Sequence, residues 1–377
     1  MKKQFMAIAI TALAAGGAFA QANDTLAKIK ASGVITEGVR ESSGLSYTLG
    51  NGQYTGFHYD ICANIIKDLE KAVGKKLETK YQPVTSQNRV PLVQNGTVDL
   101  ECGSTTNNAT RAKDVSFAVT TYVEEVRIAV KANSGITGIK DLNGKTVATT
   151  TGTTSVQTLR KNERAGGIDF KELYGKDHSD SFLLLESGRA DAFVMDGSIL
   201  ASNIAKSKSP ADYKLVGEVL SVEPIAIMLR KDDPAFKKAV DDSIKAQIKS
   251  GELAKLWDKW FIQAIPPANV KIGLPLSDAT KSAWANPNDK PMEDYAAKKL
   301  SARRCIDANA RHPRRAIALR RRRPDDDRQQ RRREGVSRWD RTGIGRSTCR
   351  TRAGNTRPTG NGCSRPGAGR CRSRCSR

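Results

Sequence analysis

The sequence predicts a mixed α/β protein in which one α/β unit is inserted into another, with two crossover segments forming a hinge between two lobes. Three observations carry this expectation. The chain has 377 residues, enough for two domains of ordinary size. Short runs of strand character alternate with helical stretches, the rhythm of an α/β sheet. Two extended segments, near 119–128 and 220–228, bracket the middle unit, and paired crossings between two units make a hinge.

Taken in order, Gly33 to Val39 reads as the first strand after a polar lead-in. Asp60 to Val73 reads as a helix, because Ile61, Cys62, Ile65, Ile66, Leu69, Ala72 and Val73 fall on one face. Lys76 to Val84 alternates and is extended; a short helix over Ser86 to Gln94, a turn at Asn95-Gly96 and a strand over Val98 to Cys102 follow. In the second unit Thr120 to Ala132 is a long extended segment, and Lys145 to Thr150 a strand running into a helix that ends near Arg164. Strands over Ile168 to Tyr174 and Ala190 to Met195 alternate with helices over Asp177 to Ser187 and Gly197 to Lys206. Val222 to Arg230 is extended again. Asp233 then caps a helix with Pro234 in its first turn, and Phe236, Val240, Ile244 and Ile248 are spaced for its buried face. A second helix after it carries Leu253, Leu256, Trp257, Trp260 and Phe261.

Composition excludes a polytopic membrane protein. Mean hydropathy is −0.50, and no internal run approaches the roughly 18 apolar residues of a spanning helix. The net charge of +23 points to nucleic acid only until it is located. Residues 300–377 hold 24 Arg, no Lys and 6 acidic residues, whereas residues 1–299 hold 31 Lys and 8 Arg against 34 acidic residues. The body is nearly neutral. The tail, with runs such as Arg320-Arg321-Arg322-Arg323 and five cysteines of its own, has too few large apolar residues to fold alone. A basic nucleic-acid arm is one reading of it. A frameshift or lost stop codon near Lys299 is the favoured one, because the switch from Lys to Arg is abrupt.

Residues 1–20 carry an export signal: Lys2 and Lys3, an apolar stretch from Phe5 to Leu13, and small residues at Ala18 and Ala20, with cleavage near Ala20. Export implies an oxidising compartment, where the body's only cysteines, Cys62 and Cys102, are a disulfide candidate. Two separate buried thiols are the alternative. Nothing in the body has zinc spacing, so neither a metal nor a cofactor is expected.

The eight body arginines stand out against so many lysines, because a guanidinium binds carboxylates bidentately. Three lie in polar clusters that follow predicted strands: Arg40 in Val39-Arg40-Glu41-Ser42-Ser43, Arg89 in Thr85-Ser86-Gln87-Asn88-Arg89, and Arg111 after Ser104-Thr105-Thr106-Asn107-Asn108-Ala109-Thr110. Strand ends are where α/β sheets place ligands, although three solvated loop arginines would read the same way. Gly152-Thr153-Thr154-Ser155 opens a helix directly after a strand, either an anion site or an ordinary N-cap. Asp196 follows a strand. His178 lies at a helix start, between the helix dipole, which disfavours its proton, and Asp177 and Asp180, which favour it. No nucleophile elbow, phosphate loop or His-Glu-x-x-His motif occurs in the body, so no catalytic residue is assigned. Cations, hydroxyls and one carboxylate are the inventory for a small zwitterion carrying an additional negative charge.

Arg40-Glu41-Ser42-Ser43, Thr85 to Leu92, Glu101-Cys102-Gly103-Ser104-Thr105-Thr106-Asn107-Asn108, Lys176-Asp177-His178, Leu185 to Ala190 and Met228 to Pro234 together resemble the periplasmic glutamate/aspartate-binding proteins of ABC importers, over about Leu26 to Pro291. The resemblance implies a two-lobed clamp of the type II periplasmic kind and a non-enzymatic receptor for L-glutamate and L-aspartate. It implies Arg111 with Thr106 and Thr154 as anchor of the α-carboxylate and Asp196 with Ser104 as partner of the ammonium. Arg40, Ser86, Arg89 and His178 would cage the side-chain carboxylate. The chain departs from the family pattern around Gly44-Leu45-Ser46 and Gly50-Asn51-Gly52, which suggests altered loop lengths beside Arg40. A periplasmic monomer that hands ligand to ABC permease subunits and does not bind nucleic acid follows. The expected division is 21–121 for the first part of lobe 1, 122–221 for lobe 2, and 222–299 for the return segment and C-terminal extension. The same clamp hosts small-molecule lyases and sensory receptor domains, which is the alternative.

Overall fold

The computed structural model describes residues 24–295. The expected export signal (1–20) and the Arg-rich segment (300–377) lie outside the described residues. Two five-stranded sheets organise two mixed α/β lobes. In the first, Val34–Val39 is flanked in parallel by Glu78–Pro83 and Leu100–Glu101, with Val34 opposite Glu78 and Val39 opposite Pro83. Met228–Arg230 joins antiparallel between Leu100–Glu101 and Val115–Phe117. In the second sheet Tyr122–Lys131 pairs antiparallel with Tyr213–Ile225 on one side and Ala192–Asp196 on the other. Thr146–Thr150 and Lys171–Gly175 then continue in parallel.

The chain leaves the first sheet after Phe117 and returns to it before Met228, and the two passages are bonded to each other. Tyr122 stands opposite Ile225, Thr121 N donates to Ile225 O at 2.9 Å, and Ala118 N donates to Ile227 O at 3.0 Å. Helix Asp278–Ala285 lies over this ladder: Trp284 Nε1 donates to Thr121 O at 2.6 Å and Val123 N donates to Thr280 Oγ1 at 3.0 Å.

Each lobe buries the faces that the sequence pattern marks. Helix Phe57–Val73 turns Ile61, Ile65 and Leu69 onto a core shared with Phe236, Val240 and Ile244 of helix Pro234–Lys249. Trp257 and Phe261 stack at 4.1 Å and close that core. The second sheet is covered on both faces, so its residues alternate between two clusters: Val126, Ile128, Val130 and Val194 on one side, Ala129, Phe193 and Met195 on the other. No helix among the described residues is long and apolar enough to cross a membrane.

The differences from expectation are local and have causes. The polar lead-in contains helix Thr25–Ser32, capped by Asp24 and holding only Ile29 as a deeply buried apolar anchor, too little for periodicity to reveal. Gly50-Asn51-Gly52, where altered loop lengths are expected, forms the turn of a hairpin between Tyr47–Gly50 and Gln53–Thr55. Asn51 and Gly52 both take positive φ, the geometry of a two-residue hairpin turn. The return strand begins at Tyr213, nine residues before the expected Val222, because its register shifts between Val216 and Ser221 and the shift breaks the alternation.

Cys62 and Cys102 are joined by a disulfide across 40 residues of sequence, fastening helix Phe57–Val73 to the loop that follows Leu100–Glu101. Cross-linking a loop of that length constrains the unfolded chain by about 3–4 kcal/mol. We expect the Cys62→Ala/Cys102→Ala double variant to lose about that much in urea unfolding; unchanged stability would show that the bond adds nothing to the fold.

Candidate functional site

Every sequence-predicted site residue lies at or just beyond the C-terminal end of a strand. In the first lobe Arg40 follows Val34–Val39, Ser86 and Arg89 follow Glu78–Pro83, and Ser104, Thr106 and Arg111 follow Leu100–Glu101. In the second lobe Thr154 and His178 each open a helix after a strand, and Asp196 is the last residue of its strand. The two sets of strand ends face one another, and the named residues meet across them.

Arg40 is 0% exposed. Its Nη2 donates to Ser86 Oγ at 3.0 Å and to His178 Nε2 at 3.1 Å, and Nη1 reaches Ser104 Oγ at 3.5 Å. Asp177 of the opposite lobe lies 3.7 Å away. Arg89, 2% exposed, donates from Nη1 to Ser104 O at 3.3 Å. Arg111 is half-buried; it donates to Thr106 O at 2.9 Å and, across the lobes, to Gly152 O at 3.4 Å. Thr106 Oγ1 and Thr154 Oγ1 lie 3.3 Å apart, again from opposite lobes. Ser179 N donates to Ser42 Oγ at 3.2 Å. Solvated loops do not describe Arg40 or Arg89.

The contacts of His178 fix its tautomer. A guanidinium can only donate, so Nε2 accepts from Arg40 and Nδ1 carries the proton, which goes to Thr150 Oγ1 at 3.0 Å. Thr150 donates its own proton to Ser181 Oγ at 2.8 Å, and the single proton of Ser181 is shared between Thr149 O and Asp177 O. Burial, then the charges of Arg40 and Arg89, hold the imidazole well below its ordinary pKa. The balance expected between the helix dipole and the charges of Asp177 and Asp180 is therefore corrected: burial and the two arginines decide it for the neutral ring. Asp177 instead caps the helix, accepting from His178 N, and lies beside Arg40.

Burial also pushes the Arg89 guanidinium down from its usual value, helped by Arg111 and Arg40, while Glu101 and Asp196 pull the other way. It stays charged at any working pH. Asp196, 2% exposed, is pushed well up by burial and by Glu124 and Glu223, with Arg89 and Arg111 opposing. Among the described residues, Arg89 Nε and Arg40 Nε are buried donors of this site without a hydrogen-bond partner, and Asp196 Oδ1, like Glu101 Oε1, is a buried acceptor without one. Buried donors and acceptors of this kind point to a ligand carrying both carboxylate and ammonium groups.

Three carboxylates escaped sequence reasoning. Glu101, Glu124 and Glu223 are all buried around the arginines and Asp196. One carboxylate against three cations was too simple a count. The signal was present: each is an acidic residue inside a stretch otherwise read as an apolar strand, such as Val222-Glu223-Pro224-Ile225, and a charge there demands a partner.

The family model for bacterial extracellular solute-binding proteins, family 3, matches residues 34–263. The glutamate/aspartate import solute-binding protein of Escherichia coli (strain K12) is 44% identical over 295 residues, covering 76% of this chain and 98% of that protein. The L-glutamate/L-aspartate-binding protein of Pseudomonas aeruginosa is 43% identical over 272 residues, 71% of this chain and 90% of that one. Among solved structures, a mutant ArgBP from T. maritima superimposes with a TM-score of 0.56 at 27% identity, over 62% of this chain and 98% of its own.

The two buried histidines give the site and its surroundings a pH signature. His178 is held below its ordinary value, and burial lowers His58 from 6.5 to about 4. Both are therefore neutral in the fold, and their contribution to stability is present above pH 6.5 and lost as pH falls toward the folded-state values. For His58 alone the loss is about 3 kcal/mol. NMR titration should find both imidazoles neutral from pH 8 down to 6; a protonated His178 at pH 6 would contradict the proton chain from Arg40 to Ser181.

Proposed function

Because the chain belongs to the bacterial extracellular solute-binding proteins, family 3, we propose that it is the glutamate/aspartate-binding component of an ABC import system. The observation that carries this reading is the number of buried guanidiniums. One arginine suffices for the α-carboxylate shared by all amino acids. Here Arg40 and Arg89 are buried beside Ser86 and His178, in addition to Arg111 at the Thr106–Thr154 side. Even with Glu101, Glu124 and Glu223 buried nearby, Arg40 Nε and Arg89 Nε have no hydrogen-bond partner, so this side keeps donors for a further anion, which among amino acids is the side-chain carboxylate of glutamate or aspartate.

The geometry supports the roles that the resemblance implies. Arg111, flanked by Thr106 and Thr154, anchors the α-carboxylate. The helix that Thr154 opens has no side-chain N-cap bond, since Thr153 turns its hydroxyl back to Thr150 O, so first-turn N–H groups are left to support that anion. Asp196 with Ser104 receives the ammonium. Arg40, Ser86, Arg89 and neutral His178 surround the second carboxylate. Ligand closes the lobes about the paired crossovers, dividing the chain at 21–121, 122–221 and 222–299. Closure excludes water and strengthens each ionic contact.

The protein is a transport receptor and not an enzyme. His178 fits this: its ring is bonded to Arg40 and Thr150, with the proton directed away from the site. It acts outside the cytoplasm, exported with cleavage near Ala20, and delivers ligand to the permease as a monomer. Its E. coli relative is covered almost end to end by about three quarters of this chain. That supports a body ending near Lys299 and a frameshifted or read-through origin for residues 300–377.

Anchor and specificity residues separate by substitution. Truncating Arg111 to Ala strands the carboxylate common to all ligands, a loss of about 2–5 kcal/mol, or roughly 30- to several-thousand-fold in affinity. Arg89→Ala should cost glutamate comparably but spare glutamine, whose amide brings no charge into the site. Calorimetry with both ligands decides. Equal weakening of glutamate and glutamine by Arg89→Ala would make Arg89 structural and break the assignment.

A further inference from the structure

The two crossover strands place a carboxylate opposite a carboxylate. Glu223 on Tyr213–Ile225 pairs directly with Glu124 on Tyr122–Lys131, a juxtaposition that costs stability in an antiparallel ladder. Glu124 is satisfied locally, by Tyr122 Oη at 2.7 Å, by Glu125 N at 2.8 Å and by the hydroxyl of Ser198. Glu223 is placed differently. It is fully buried; its Oε1 accepts from Ser221 Oγ at 2.6 Å. Its Oε2 accepts from Thr106 Oγ1 of the first lobe and from Thr154 Oγ1 of the second, each at 2.6 Å.

A hydroxyl has one proton to give. Both threonine protons go to Glu223, so what the two oxygens present to the site is lone pairs. Lone pairs accept from an ammonium and repel a carboxylate. Asp196, with its partnerless Oδ1, completes an acceptor set at the same place, and Glu223 is among the charges acting on both Asp196 and Arg111.

We propose that Glu223 is a further specificity-determining residue: by taking the protons of Thr106 and Thr154 it turns both hydroxyls into acceptors and, with Asp196, makes the site discriminate amino acids from carboxylic acids that lack the amine. This rests on the reading above that the ligand is an acidic amino acid. It leaves the α-carboxylate to Arg111 and to main-chain N–H groups, with the threonine side chains serving the ammonium.

The test compares L-glutamate with glutarate, which has both carboxylates and no amine, by calorimetry on the full chain. The wild type should prefer glutamate. In Glu223→Gln, glutamate should weaken by about 10- to 100-fold while glutarate is unchanged or tighter, so that the preference collapses. Equal weakening of both ligands would show that Glu223 only ties the lobes together, and tightening of both that it competes with the ligand's carboxylate; either overturns the proposal. Glu223→Asp keeps the charge and should keep the preference. If Glu223→Gln does not fold, Thr154→Val removes one acceptor and must lower the preference in the same sense, an unchanged ratio again overturning the proposal. A wild type that binds neither ligand would overturn the receptor reading and this inference with it.

Discussion

A guanidinium withdrawn from water needs partners for its donors and a counterweight for its charge, and the terminal nitrogens of Arg40 find theirs by joining two lobes. Ser86 and Ser104 come from its own lobe, His178 and Asp177 from the other. Its neighbours are shaped by it. His178 is held neutral with its proton on the far nitrogen, which orders Thr150 and Ser181 behind it. Gly103 must lack a side chain, since a Cβ there would stand 2.9 Å from Arg40 Cγ and 2.0 Å from Glu101 Oε1. The residue before it, Cys102, is pinned to helix Phe57–Val73 by the disulfide. The loop that carries Ser104 and Thr106 is thus fixed at its start by a covalent bond.

The crossovers supply the second constraint. Because the outgoing and returning strands are bonded to one another, neither can shift without the other. Helix Asp278–Ala285 lies on the same ladder, and Thr120 N and Asn107 Nδ2 bond to main-chain oxygens of Asn288 and Asp289. The last described stretch therefore ties the first lobe's ligand loop to the crossing. Glu223 sits inside this crossing with one oxygen shared between hydroxyls of both lobes. Glu223 thus touches both lobes from within the short piece of chain that joins them.

Much of this was legible in the sequence because periodicity reports burial. Helix Gly197–Lys206 has the bounds that the pattern gives, and Asp233 caps Pro234–Lys249 by accepting from Phe236 N. The three unusual arginines were legible because lysine is the body's generic surface cation. What failed to show depended on contacts distant in sequence. Helix Thr25–Ser32 has too few apolar positions to announce itself. The early start of the return strand is hidden by a register shift. The neutrality of His178 comes from Arg40, 138 positions away, while its neighbours in sequence, Asp177 and Asp180, suggested the opposite. Glu223 read as one charge in a strand because nothing local shows which hydroxyls will meet it.

On this reading, buried arginines from one lobe, closed against His178 of the other, hold the second carboxylate of an acidic amino acid. A crystal structure grown with L-glutamate tests it directly. The side-chain carboxylate should lie about 2.7–3.2 Å from donors of Arg40 and Arg89, with the α-carboxylate on Arg111 and the ammonium on Asp196. Glutamate bound with its side chain toward Arg111, or outside the cleft between the strand ends, would rule out Arg40 and Arg89 as the holders of that carboxylate.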